Sequence, residues 1–196
     1  KVDNLGFLYA VQDNNMPIRK FDFTSGTFTD FVQAPGVIYS DVEILGNNKI
    51  VVGDNERSSA SPDYITILDS NSGLIVSTPT ASEVARHVVY EKLRNRIWTI
   101  CDDVSGFPSF CNQNAPGAVD VFDMNTNQRI ISIPVNTSDG HFTSLSQDER
   151  YFYVTNFNGT VSAIDTQNFV VSSIPISTGT PFGIYMQGDN RVKEVR

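Results

Sequence analysis

Four segments of this sequence share an aspartate that follows strand-forming residues and precedes a short polar turn. The aspartates are Asp22, Asp69, Asp123 and Asp165, separated by 47, 54 and 42 residues. An Asp side chain can accept backbone N–H groups two residues ahead, so the pattern predicts four copies of one turn between strands. A period of this size constrains the fold more than any other feature, because it indicates a repeat architecture.

Apolar, β-branched and aromatic runs lie at corresponding places around each aspartate. The predicted second strands are 7–11, 50–52, 97–100 and 151–155, and the predicted fourth strands are 28–32, 74–78, 130–133 and 170–174. In the later units a first strand precedes a polar turn, as at 41–45 and 143–145. Each unit is therefore predicted to be a four-stranded antiparallel meander, whose strands we label A to D.

A repeated meander of this length is typical of a β-propeller blade, in which neighbouring sheets cover each other's apolar faces. The sequence predicts an all-β chain with about four units, and proline near the end of strand D fits an exposed outer edge. The approximate units are 1–35, 36–80, 81–135 and 136–180, and residues 181–196 start or close a blade.

The last unit carries the most specific motif of the chain. Its Tyr153–Asn156 tetrapeptide, followed by an Asn-Gly turn at 158–159 and by Asp165, closely resembles the YVTN family of β-propeller repeats. That family includes archaeal and bacterial surface-layer proteins and lactonase-like propellers. The resemblance implies a propeller fold and a surface location, and it leaves the activity open.

The sequence is compatible with two ways of completing the ring of blades. Residues 181–189 have the pattern of a strand A, which a closed four-blade ring lends to the first unit. Residues 190–196 align with the start of a further strand B, which favours a piece of a larger propeller or a ring completed by another chain.

The charge and hydropathy of the chain disfavour two classes of partner. It carries 22 acidic and 14 basic residues, a net charge of −8, so a nucleic-acid backbone is expected to be repelled. We expect no membrane span either, because every apolar run falls short of the roughly 18 residues that a transmembrane helix needs.

Several features favour an exported protein, secreted or at the cell surface. Cys101 and Cys111 flank a loop rich in Gly, Pro and Asn and lack metal-binding spacing, so we expect a local disulfide. Asn136 and Asn158 begin glycosylation sequons.

The loops between strands B and C vary in length, whereas the turns after strand C are uniformly short. In a propeller the B–C and D–A connections share one side of the blades, here called the loop side, and the A–B and C–D connections share the other, the turn side. Variable loops on a rigid frame commonly carry binding, so the loop side is the candidate functional side. The ligand-binding candidates are Asp102, Asp103, Phe107, Phe110 and Asn156.

The two histidines are candidates for chemistry. His87 and His141 each lie nine residues before an arginine, which suggests the same place at the start of strand A in adjacent units, and Arg86 can bind an anion beside them. They serve either as catalytic acid and base or ligand contacts, or as hydrogen-bonding groups within a connection. No motif supports a metal or other cofactor, although scattered oxygen ligands leave a divalent cation open.

Together these features predict an extracellular or cell-surface propeller that binds a protein or glycan through its loop side. The alternative is a lactonase- or lyase-type propeller enzyme with a site near His87 and His141.

Overall fold

A computed structural model of the 196-residue chain shows a series of antiparallel β-sheets. Within the described residues, strands and turns are present and helices are not. The side chains of Asp54, Arg86 and Cys101 lie outside the description. The structure describes residues 2–3, 5–11, 17–32, 39–54, 64–81, 85–101, 117–135, 142–156 and 158–176.

The first two sheets cover the first half of the chain and are hydrogen-bonded in sequence order. Blade 1 has three strands, with an isolated bridge from Val2 to Leu8 at its inner edge. Its strands are β1 (Phe7–Ala10), β2 (Ile18–Asp22) and β3 (Thr27–Val32). Blade 2 consists of β4 (Tyr39–Gly46), β5 (Lys49–Asp54), β6 (Ile65–Asp69) and β7 (Ile75–Ser77).

The second half forms two further four-stranded meanders. Blade 3 consists of β8 (Ala85–Glu91), β9 (Arg96–Cys101), β10 (Ala118–Asp123) and β11 (Gln128–Pro134). Blade 4 consists of β12 (Thr143–Leu145), β13 (Tyr151–Thr155), β14 (Thr160–Asp165) and β15 (Val171–Pro175). The predicted all-β propeller architecture of repeated four-stranded blades is confirmed, and β1 coincides with the predicted second strand, 7–11, of the first unit.

The turn after strand C has the same construction in all four blades. Its aspartate accepts a hydrogen bond from the backbone N–H two residues ahead, at 2.7 Å for Asp22, 3.1 Å for Asp69, 2.7 Å for Asp123 and 2.8 Å for Asp165. The predicted structural role of these aspartates is therefore confirmed.

A second bond ties this turn to the A–B turn of the same blade. The residue after the aspartate donates its backbone N–H to a carbonyl of that turn in blades 2, 3 and 4. The pairs are Ser70 to Asn48 at 2.7 Å, Met124 to Asn95 at 3.0 Å and Thr166 to Arg150 at 2.9 Å. The turn side is thus locked by backbone bonds that recur from blade to blade.

The core lies between successive blades. We call the face that packs on the following blade the forward face and the opposite one the rear face. The forward face of blade 3 and the rear face of blade 4 share a cluster whose largest members, Trp98 and Phe152, stack with ring centroids 5.0 Å apart. The other buried members are Val89, Ile100, Val119, Val121, Ile133, Val135, Leu145, Val154 and Ile164.

Equivalent clusters join the earlier blades. One contains Val51 and Ile67 of blade 2 with Ile97 and Phe122 of blade 3. Another joins blade 1 to blade 2 through Tyr9, Ile18, Val52 and Leu68. Since a single sheet cannot bury both of its faces, each blade depends on its neighbours for stability.

Strand A is the inner strand at the contacts between blades, because β4 packs on β8 and β8 packs on β12. Residues at the start of strand A therefore meet across two blades on the loop side. No helix in the described residues has the length and apolar character required to cross a membrane.

Candidate functional site

Asp41 and His87 form a contact between blades on the loop side. Each lies near the start of an inner strand, β4 or β8, and each strand is irregular there. The pairing with strand B skips Ser40 in β4 and Arg86 in β8. A bulge adds one residue to one strand and changes the direction of neighbouring side chains. The same irregularity in two adjacent blades thus precedes the two residues that meet.

Backbone groups of two blades fix the Asp41 carboxylate. Its Oδ1 accepts the N–H of Val42 at 2.8 Å, and its Oδ2 accepts the N–H of Val88 at 3.1 Å. The same Oδ2 lies 3.8 Å from His87 Nδ1, and both side chains are about one-third exposed. The Asp41 carboxylate is therefore held in place, and both side chains are partly exposed to solvent.

This arrangement has a definite chemical capacity. A carboxylate beside Nδ1 can orient the ring, which leaves Nε2 to donate to or accept from a ligand. The described residues contain no cluster of three or more His, Cys, Asp or Glu side chains suited to a metal ion. Asp41 and His87 thus provide a polar contact or a proton-transfer pair.

The expectation that His87 and His141 share one register is wrong by one residue. That expectation aligned Arg96 with Arg150, but the strand pairing does not place these two arginines at the same position. Arg96 pairs with the turn aspartate of blade 3, and Tyr151 pairs with that of blade 4. Tyr151 is therefore the counterpart of Arg96, and similarity of residue type misled the alignment.

The same offset of one residue between blades 3 and 4 is found in strand A. Val88 and Thr143 occupy the same paired position in blades 3 and 4. Phe142, which precedes Thr143, is thus the counterpart of His87. His141 lies outside the described residues, and the register that was taken to place it at the position of His87 no longer does so.

Sequence reasoning missed Asp41. Counting nine residues back from the start of strand B, as for His87, gives Ser40 in blade 2, whereas the pairing of Asp41 with Gly53 corresponds to that of His87 with Ile100. The error arose because the A–B connections of the two blades differ in length. An alignment anchored on strand A instead of the turn could have found this position.

Asn156, a predicted ligand contact, supports a loop instead. Its Nδ2 donates to Thr160 Oγ1 at 2.8 Å and to Ser162 Oγ at 2.9 Å, and its backbone N–H donates to the Thr160 carbonyl at 2.9 Å. The residue is 1% exposed. Since a ligand on the surface cannot reach it, we assign Asn156 to the hairpin between β13 and β14.

Asn158 is exposed in the same hairpin. Its Oδ1 accepts the backbone N–H of Thr160 at 3.2 Å and the Thr160 hydroxyl at 2.6 Å. An attached glycan would project from the loop side. The other sequon residue, Asn136, lies outside the described residues.

The remaining predicted site residues are not placed by the structure. Arg86 and Cys101 lie in β8 and β9, without a description of their side chains. The disulfide and the ligand contacts of the long loop therefore stay predictions. The candidates outside the described residues are Asp102, Asp103, Phe107, Phe110 and Cys111.

Comparison with known proteins supports the fold. No known family matches the chain, and neither does any curated protein sequence. Among solved structures, the chain is similar to Kuenenia stuttgartiensis hydrazine synthase, with a TM-score of 0.73 and 18% sequence identity over 89% of this chain and 52% of that chain. The chain spans about half the length of that structure. At this identity the likeness shows the fold alone, and the fold it supports is the β-propeller.

Proposed function

We propose that this chain is an extracellular or cell-surface binding module that holds a protein or glycan ligand on its loop side. The observation that carries the proposal is the Asp41–His87 pair, whose Oδ2 and Nδ1 atoms lie 3.8 Å apart across two blades and whose side chains are partly exposed. A fixed carboxylate and an imidazole can bind hydroxyl and amide groups, which both ligand classes present.

Loop length supports the same side. The connection from β9 to β10 runs from 102 to 117, whereas the equivalent connection from β13 to β14 runs from 156 to 159. The long loop contains Phe107 and Phe110, and aromatic side chains commonly anchor binding interfaces. We assign these two residues to the apolar part of the contact and Asp41 with His87 to the polar part.

Export is part of the proposal and can be tested independently of ligand binding. We expect mass spectrometry without reductant to find Cys101 joined to Cys111, and glycan at Asn136 and Asn158 when the protein is secreted from eukaryotic cells. Two free thiols in the secreted protein would contradict an oxidised, extracellular loop.

Binding is best tested on arrays of immobilised glycans and extracellular protein domains. We expect the chain to bind a subset of probes. Substitution of Phe107 and Phe110 by Ser should weaken that binding at least about tenfold, which is about 1.4 kcal/mol. Leu93→Ser is the matched control, because Leu93 is an exposed apolar residue in an A–B turn on the other side. Absence of any bound probe, or equal loss in the control, would reject the proposal.

The Asp41–His87 geometry also favours a second candidate function, a lactonase- or lyase-type enzyme. The carboxylate orients the imidazole, His87 Nε2 moves a proton, and Arg86 binds the substrate anion. His141 no longer has register support as a symmetric partner. A panel of lactones and uronate-containing glycans tests this candidate. Turnover that His87→Ala abolishes without unfolding the protein would favour it over the binding module.

A further inference from the structure

One position of strand C carries a lysine in blade 1 and a buried aliphatic residue in the other blades. It lies two residues before the turn aspartate, and in blades 2 to 4 it is occupied by Ile67, Val121 and Ala163, which are at most 6% exposed. In blade 1 the same register holds Lys20, which pairs with Tyr9 and is partly buried. Since burial of an unpaired charge is costly, an ammonium group at this position needs a specific environment.

Three aromatic rings of blade 1 provide part of that environment. Lys20 Nζ lies 3.9 Å from the centroid of the Phe7 ring, 5.4 Å from that of Phe31 and 5.5 Å from that of Tyr9. The Tyr9 and Phe31 rings pack edge to face, with centroids 5.5 Å apart. A cation within about 6 Å of a ring face is attracted by the quadrupole of the ring. We call the rings of Phe7, Tyr9 and Phe31 the blade 1 cage.

The turn after strand C of blade 2 supplies the polar part of the same environment. Lys20 Nζ donates to the Ser70 carbonyl at 3.0 Å, and the Tyr9 hydroxyl donates to the same oxygen at 3.2 Å. The donors of the turn, Ser72 first, lower the pKa of the Asp69 carboxyl, and the charge of Lys20 adds to this effect. Aromatic faces, a carbonyl and a nearby negative charge are all groups that attract an ammonium ion.

We propose that the blade 1 cage is a binding site for methylated ammonium groups, which Lys20 occupies as an internal ligand. Recognition of quaternary ammonium ions is the main functional use of aromatic cages in proteins. The ammonium of Lys20 is the observed occupant, so the rings and the carbonyl already hold a cation. The net charge of −8 also favours a cationic ligand.

Lys20 can leave the cage at a small cost in hydrogen bonds. The Ser70 carbonyl keeps the bond from the Tyr9 hydroxyl, and the flexible side chain of Lys20 returns its ammonium to water. A quaternary ammonium brings the same charge to the rings without N–H groups that require acceptors. Lys20 is therefore an autoinhibitory contact, which an outside ligand must displace.

Lys20→Ala opens the cage and tests the inference, with tetramethylammonium as the probe. Titration calorimetry should show binding at least about tenfold tighter than in the unsubstituted chain, because the internal competitor is gone. Circular dichroism should show that the variant keeps its fold. Lys20→Met is the matched control, since an apolar side chain of similar length fills the cage, as Ile67 and Val121 fill this position in blades 2 and 3. We expect this control not to bind the probe.

A second measurement uses the unsubstituted chain. Tetramethylammonium should displace Lys20 and speed its acetylation by acetic anhydride, read by mass spectrometry. Acetylation of Lys49, a partly buried lysine of blade 2, should not change.

Choline and a trimethyllysine peptide present the same cation, and the one that binds Lys20→Ala more tightly identifies the source of the natural ligand. Absence of tetramethylammonium binding by folded Lys20→Ala would overturn the inference. Equal binding by Lys20→Met, or equal acetylation of Lys20 with and without the probe, would also overturn it.

Discussion

The two sides of the blades differ in how their connections are held. On the turn side one pattern recurs, since each turn aspartate accepts a hydrogen bond from the backbone N–H two residues ahead in the same turn. On the loop side the described contacts differ from blade to blade: Asp41 meets His87 between blades 2 and 3, and Asn156 braces one hairpin of blade 4. Recurring bonds serve the fold, and contacts that occur once are where a specific function can reside.

Glu91→Leu should show how much the turn side contributes to stability. Glu91 is fully buried and accepts the indole N–H of Trp98 at 2.8 Å and the guanidinium of Arg94 at 2.5 Å. Arg94 also reaches Thr166 of blade 4 at 2.9 Å. Removal of the carboxylate leaves the buried indole N–H of Trp98 without its acceptor and Arg94 without its ion pair, so we expect a loss of about 3 to 5 kcal/mol in unfolding free energy, measured by urea denaturation.

Glu149→Gln provides the control on the same side. Glu149 accepts the backbone N–H of Leu93 at 2.7 Å from a partly exposed position, and Gln retains an acceptor. We expect a change below about 0.5 kcal/mol. Similar losses at positions 91 and 149 would show that burial is not what makes the turn side rigid.

Gly73→Ala should destabilise the contact between blades 1 and 2. Gly73 has φ +72°, and an added Cβ would lie 2.8 Å from both the Phe31 carbonyl oxygen and Val32 Cγ2. Gly26 in the equivalent turn of blade 1 has φ +68° and open space around it. Both substitutions cost the left-handed backbone strain of about 1 kcal/mol, and Gly73→Ala should cost about 1 to 3 kcal/mol more. Equal melting temperatures for Gly73→Ala and Gly26→Ala would contradict a close contact of Gly73 with Phe31 and Val32.

Acid should weaken the turn side. Backbone N–H groups of the turns lower the pKa of Asp22 and Asp69, and the Arg150 side chain lowers the pKa of Asp165. A lowered folded-state pKa gives stability that is present above the unfolded value of about 4 and is lost as the pH falls through the folded value. Urea midpoints should therefore drop below about pH 4. Replacement of these three aspartates by Asn should reduce this fall in the urea midpoint. If the midpoint falls as steeply with pH as in the unsubstituted chain, the effect does not originate in the turns.

The repeat made most of the fold predictable from sequence. The turn aspartates and the alternating apolar strands are recognisable because each depends only on a few consecutive residues. The contact of Asp41 with His87 does not, because a bulge in each strand and the packing of β4 on β8 bring them together. The surroundings of Asn156 are equally hidden in the sequence, because its amide donates to Thr160 and Ser162 only once the hairpin between β13 and β14 has formed.

Of these substitutions, Asp41→Asn should change the unfolding free energy least and ligand binding on the loop side most. Asn keeps an oxygen that can accept the Val88 N–H, while the charge beside His87 is lost. Since both side chains are partly exposed, the pair should contribute less than about 1 kcal/mol to folding. We expect an unchanged urea midpoint together with weaker binding to any probe that the arrays identify. If instead the variant unfolds as readily as Gly73→Ala, the pair is a structural link between blades, and the two sides differ only in the chemistry of their bonds.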